Sequence, residues 1–165
     1  MESSDKMVIF ICGAANAGKS TVGKMLAEQL QAAFVEGDDI RKIFYRQSVE
    51  EARPAIVETL AAVVNVLAKK RESVVVAYPI WKEDHQPLLS YLKDVTIPIK
   101  FIALNPSLET ALTNRGTREL EDWEIGWIKE SYAKGVNNPP FAKSIDNSNT
   151  PAEKTLERVL AALGK

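Results

Sequence analysis

Residues Gly13 to Thr21 read GAANAGKST. The spacing glycine, four residues, glycine, lysine, serine belongs to a loop that holds phosphate. Gly13 and Gly18 let the backbone curl, so that N–H groups from Ala14, Ala15, Asn16 and Ala17 aim inward at phosphate oxygens. A helix opening at Lys19 adds its positive end. The Lys19 ammonium is placed to neutralise charge between terminal phosphates. The Ser20 hydroxyl, with Thr21 beside it, is placed to hold Mg²⁺. The expected ligand is ATP with Mg²⁺.

A second group follows in "VEGDDIRKIF", Val35 to Phe44. Asp38 or Asp39 beside an acceptor hydroxyl could take its proton while the terminal phosphoryl group transfers. Arg41, one helical turn beyond Asp38, could grip an anionic group on that acceptor with its two-pronged guanidinium. The bland alternative makes one aspartate a helix cap and Arg41 a solvated side chain.

Alternating strands and helices must position these groups. "MVIFIC" (7–12) predicts a buried strand, followed by a helix over 19–31, and "AFVEG" (33–37) a second strand leading into "DDIRKIFYRQ", a helix with two acids at its positive end. A long helix is expected over 49–71 with Pro54 in its first turn, and "SVVVAYP" is a third strand, buried on both faces. A helix over 84–92 and the strand "IPIKFIAL" come next. Two helices separated by Gly116 and a short strand in "KSIDNS" lead to a closing helix capped by Thr150, with Pro151 in its first turn. The alternation predicts an α/β fold in one domain, residues 1–165: a five-stranded parallel sheet with helices on both faces. Ligands in such sheets collect at the carboxyl ends of the strands, where both motifs fall.

Composition excludes several classes. The 165 residues carry 45% hydrophobic and 26% charged residues and a formal net charge of −1. No global field draws the chain to nucleic acid or an anionic membrane. The apolar runs are too short to cross a bilayer, and "MESSDK" has no signal-peptide pattern. Cys12 is the single cysteine, ending the first apolar run, which predicts a buried thiol rather than a nucleophile and a reducing, cytoplasmic setting. His85, the one histidine, has no partners for metal ligation. Phe44, Tyr45, Trp81, Trp123 and Trp127 could form an aromatic acceptor pocket, but helix-to-sheet packing is the commoner role and the expectation. The strand ending "AYPIW" lacks the acid of a strong second magnesium motif.

"GAANAGKST" with "EGDDIRKIF" resembles the small P-loop kinases of metabolites, most closely the adenylyl-sulfate (APS) kinase group, and the likeness continues through "EEAR" and "VVVAYP". Gluconate and shikimate kinases share similar features, and 5′-hydroxyl polynucleotide kinases share the run "DDIR". The resemblance implies that Asp38 orients the acceptor hydroxyl and that Arg41 and Arg53 bind the acceptor. It implies that Arg115 and Arg118, in "TNRGTREL", belong to a lid (about 114–122) that closes over the phosphates. It also puts Asn147 in the loop that wraps the adenine. Where the APS kinase group has asparagine and arginines, this chain has Ile56, Val57 and Glu58. The later half lacks that group's acidic, lysine-rich lid. The expectation is therefore a kinase of another small, anionic metabolite. Two alternatives stand beside it: a polynucleotide 5′-hydroxyl kinase, disfavoured by the net charge, and a nucleotide-binding switch with slow ATPase activity.

Overall fold

The computed structural model describes residues 5–113 and 119–165. Its five strands are β1 (Val8–Cys12), β2 (Ala33–Glu36), β3 (Val74–Ala77), β4 (Ile99–Leu104) and β5 (Lys143–Ile145). They form one parallel sheet in the order β2-β3-β1-β4-β5. Parallel neighbours require crossovers, and the sequence supplies helices for them. These are α1 (Lys19–Leu30), α2 (Gly37–Ile43), α3 (Val49–Lys69), α4 (Lys82–Tyr91), α5 (Leu108–Ala111), α6 (Asp122–Ala133) and α7 (Ala152–Ala162).

Side chains alternate across a strand, and both faces of this sheet are covered. Val8, Phe10 and Cys12 point to one face with Val74 and Val76, where Ile56, Leu60 and Val64 of α3 and Leu88 of α4 pack. Ile9, Ile11 and Val75 point to the other, against Val22 and Leu26 of α1 and Val159 of α7. All five residues of β1 are fully buried. Burial pushes the Cys12 thiol up to about 12, despite nearby Lys19, so it is an inert core group.

Local chemistry sets the helix ends. Ser48 caps α3 in a reciprocal capping box with Glu51. Pro54 is the sixth residue of α3, not in its first turn as expected; with no N–H, it leaves the Glu50 carbonyl without a helical donor. Thr150 does not cap α7. Its hydroxyl donates to the Ser148 carbonyl at 2.9 Å, and Pro151 occupies the cap position without a side-chain bond. Of the helix expected before Gly116, the described residues form the single turn of α5. No described helix is long and apolar enough to cross a membrane.

Candidate active site

β1 delivers the chain to the carboxyl edge of the sheet, where Gly13 turns at φ +131° and Gly18 at +93°. A Cβ on Gly13 would strike the Leu104 carbonyl oxygen at the end of β4. Only glycine tolerates that combination of dihedral and contact. The loop between them keeps its donors unspent. Among the described residues, the backbone N–H groups of Ala14, Ala15, Ala17 and Gly18 and the Ser20 hydroxyl have no hydrogen-bond partner. A cradle of unspent N–H groups at the start of α1, with a free hydroxyl beside it, fits a triphosphate and Mg²⁺.

Lys19 lies along this loop and donates from Nζ to the Ala14 carbonyl at 2.6 Å. Burial pulls its pKa below the ordinary lysine value, while the carboxylates of Asp38 and Glu36 oppose the shift. The structure therefore brings Lys19 and Asp38 within electrostatic reach of each other. Two members of the predicted nucleotide set play different parts. The Asn16 side chain faces away from the cradle, donating to the carbonyls of Ala111 at 2.8 Å and Thr113 at 3.0 Å. Asn147, expected against adenine, is 1% exposed and gives its amide N–H to the Ala17 carbonyl at 2.9 Å, behind the loop. Thr21 is exposed on α1. Arg115 and Arg118, with the rest of 114–118, lie outside the described residues.

β2 ends beside β3, and α2 starts at once. Its cap is Glu36, whose carboxylate accepts from the Asp38 N–H at 3.4 Å; neither aspartate serves as cap. Asp39 pairs with Lys42 at 3.2 Å on the exposed side. Asp38 is exposed, and its carboxylate has no hydrogen-bond or ion-pair partner among the described residues. Its charge acts on Lys19 and on Tyr78, which follows β3. Tyr78 is 5% exposed, and its hydroxyl is pushed up to about 12, chiefly by burial, then by the carboxylates of Asp38 and Asp84. A Cβ on Gly37 would collide with the Tyr78 ring. Gly37→Ala is thus expected to cost about 1–3 kcal/mol of folding stability through overpacking. Chemical denaturation checks this, and an unchanged unfolding midpoint would mean that Tyr78 swings away freely.

Arg53 reaches the same region from α3. Its Nε donates to Asp84 Oδ1 at 3.2 Å, with Oδ2 at 3.1 Å but out of hydrogen-bonding alignment. The guanidinium lies over the Trp81 ring, 4.6 Å from the centroid. So held, it leaves its terminal nitrogens without a partner among the described residues. They line a cleft of about 340 Å³ with Glu50, Trp81, Glu83 and Lys134. Lys134 pairs with Glu130 at 2.6 Å and stands 5.2 Å from the same ring, which also meets Trp127 at 6.2 Å. Trp123, by contrast, is exposed and donates to the Glu121 carboxylate. Arg41 is half-buried, close enough for its charge to act on Tyr78, and has no ion-pair partner among the described residues. His85 stacks on Phe141 at 4.0 Å and meets Phe101 edge-on at 5.0 Å, a packing role.

Sequence reasoning missed Glu36, Tyr78, Asp84 and Lys134. The available signal was position for Glu36 and Tyr78, since each stands at the carboxyl end of a strand. Nothing in the sequence pairs Asp84 with Arg53 or sets Lys134 over Trp81.

Comparison with known proteins agrees with this architecture. The structure superposes on a gluconokinase from Sinorhizobium meliloti 1021 with a TM-score of 0.70 and 21% identity, covering 98% of this chain and 93% of that one. It is similar to the Mycobacterium tuberculosis APS kinase solved in complex with AMPPNP and APS (TM-score 0.68, 19% identity, 97% and 98% coverage). A shikimate kinase from Bacteroides thetaiotaomicron matches with a TM-score of 0.61 and 20% identity over 96% and 99% of the two chains. These likenesses establish the P-loop kinase fold of this chain. No curated protein matches the sequence. A family model described as an AAA domain matches residues 8–125, well over half of the chain, and the protein belongs to that family.

Proposed function

We propose that the protein is an ATP-dependent kinase that transfers the γ-phosphoryl group to a hydroxyl of a small, anionic metabolite, with residues 1–165 acting as one catalytic domain. One observation carries this reading. A cradle of unspent N–H groups with Lys19, after β1, stands within electrostatic reach of a partnerless carboxylate, Asp38, after β2, both at the carboxyl edge of the sheet with β3 between them. A phosphate cradle alone suits any nucleotide-binding protein. The free carboxylate adds what an acceptor hydroxyl needs.

The backbone from Gly13 to Gly18 and Lys19 would hold the phosphates, and Ser20 would hold Mg²⁺, which screens phosphate charge when bound. Asp38 orients the acceptor hydroxyl and accepts its proton. Arg41 and the free end of Arg53 bind the acceptor's anionic group, the second from its anchorage on Asp84 and Trp81. Arg115 and Arg118 close over the site and offset charge that develops on the transferred group. Transfer is in line, driven by positioning and charge neutralisation rather than a covalent intermediate.

The test is a screen of hydroxyl-bearing metabolites for ADP release above the rate in water alone. Stimulation by an anionic metabolite is the expected result. Stimulation only by DNA or RNA 5′ ends would make the acceptor a polynucleotide. ATP binding with no acceptor-stimulated turnover would make the protein a nucleotide switch.

A further inference from the structure

The phosphate loop is held from behind. The Ala17 carbonyl points to Asn147 Nδ2 at 2.9 Å, across 130 positions of sequence. The peptide joining Ala17 to Gly18 is trans. In a planar trans peptide the C=O and N–H point in opposite directions. A carbonyl fixed outward on Asn147 therefore turns the Gly18 N–H inward, toward the space that the cradle encloses. That N–H has no other partner among the described residues, and neither does the N–H of Ala17.

Asn147 is itself rigidly seated. Arg158 of α7 donates to the Asp146 carbonyl at 2.8 Å, and the Ser148 N–H donates to Asp146 Oδ1 at 2.8 Å. The Ser148 hydroxyl accepts from the Ser107 N–H at 2.8 Å, just before α5. The far end of α5 returns to the loop through Asn16. A closed hydrogen-bonded circuit thus joins the phosphate loop, the turn after β5, and α5. Asn147 also carries a cost that packing alone does not require, since its Oδ1 is buried without a hydrogen-bond partner. A leucine would fill a similar space with no orphaned oxygen.

We infer that Asn147 is a positioning residue for the phosphate groups of the nucleotide: it presets the peptide between Ala17 and Gly18 and makes no contact with the base. This rests on the reading of Gly13 to Thr21 as the phosphate site. The test is titration of the parent, Asn147→Leu and Asn147→Ala with ADP, pyrophosphate and adenosine, followed by NMR, with unfolding measured in parallel. In Asn147→Leu, loss of the Nδ2 bond is offset by removal of the buried Oδ1, so folding is expected to persist. Affinity for ADP and for pyrophosphate should fall together, by roughly tenfold, about the worth of a hydrogen bond. Adenosine affinity should stay within about twofold, because the base is not touched. Asn147→Ala should behave alike and serves if the leucine variant fails to fold. Unchanged pyrophosphate affinity in a folded variant overturns the inference. A drop for adenosine equal to that for ADP also overturns it, in favour of a base contact. If the parent binds neither ADP nor pyrophosphate, the phosphate-site reading itself falls, and this role with it.

Discussion

Replacing Lys19 with methionine is expected to slow phosphoryl transfer by roughly 10²- to 10³-fold, the worth of a preorganised charge in a site that excludes water. The fold should persist. Methionine keeps an unbranched stem of similar reach, so the volume beside the loop stays filled. What disappears is the ammonium, held at 2.6 Å from the Ala14 carbonyl. That carbonyl loses its donor, at a cost of about 1 kcal/mol in stability. The transferring group loses the only cation that the described loop supplies from within. Burial already lowers the lysine pKa against the pull of Asp38 and Glu36, and phosphate oxygens at the site would favour the charged form further. Single-turnover assays of ADP formation, paired with denaturant unfolding, separate the two effects. Equal transfer rates in variant and parent would remove Gly13 to Thr21 as the triphosphate site.

The centre of the sheet was legible in the sequence because β1 and β3 are unbroken apolar runs. A parallel sheet covered on both faces demands such runs, and "MVIFIC" and "VVVA" meet the demand along their length. The phosphate loop was legible because its chemistry is local: glycines, lysine and serine within one turn of chain. What stayed hidden is whatever the topology assembles from distant segments. The sequence offered Arg53 as an acceptor ligand, but not its anchorage on Asp84 and Trp81, which come from another helix and its cap. It offered Asn147 as a polar group in a loop, whereas its amide N–H faces Ala17 because β5 places that loop against the start of α1. Local rules failed where two residues competed for one role. Glu36, not an aspartate, caps α2, and Pro151 displaced Thr150 at the start of α7.

The acceptor carboxylate gives the sharpest expectation. Asp38→Asn should leave ATP affinity nearly intact while acceptor-dependent turnover falls by roughly 10²- to 10⁴-fold, the usual worth of a positioned acid or base. Stability should hardly move. The helix cap belongs to Glu36, and the aspartate contributes only its N–H to that bond, which asparagine retains. A capping role for the Asp38 side chain would have predicted the reverse: a loss of about 1 kcal/mol with normal turnover. Asp39→Asn is the control, because its carboxylate is committed to Lys42 on the exposed side of α2. An exposed pair of that kind contributes little, so both turnover and stability should stay near the parent's. A third outcome is informative too. If Asp38→Asn weakens ATP binding in the presence of Mg²⁺ but not in its absence, the carboxylate serves the metal rather than the acceptor hydroxyl. A crippled Asp39→Asn beside an active Asp38→Asn would assign the chemistry to the other carboxylate of the same helical turn. ATP affinity with and without Mg²⁺, unfolding midpoint and acceptor-stimulated ADP release, measured on both variants, decide among these cases.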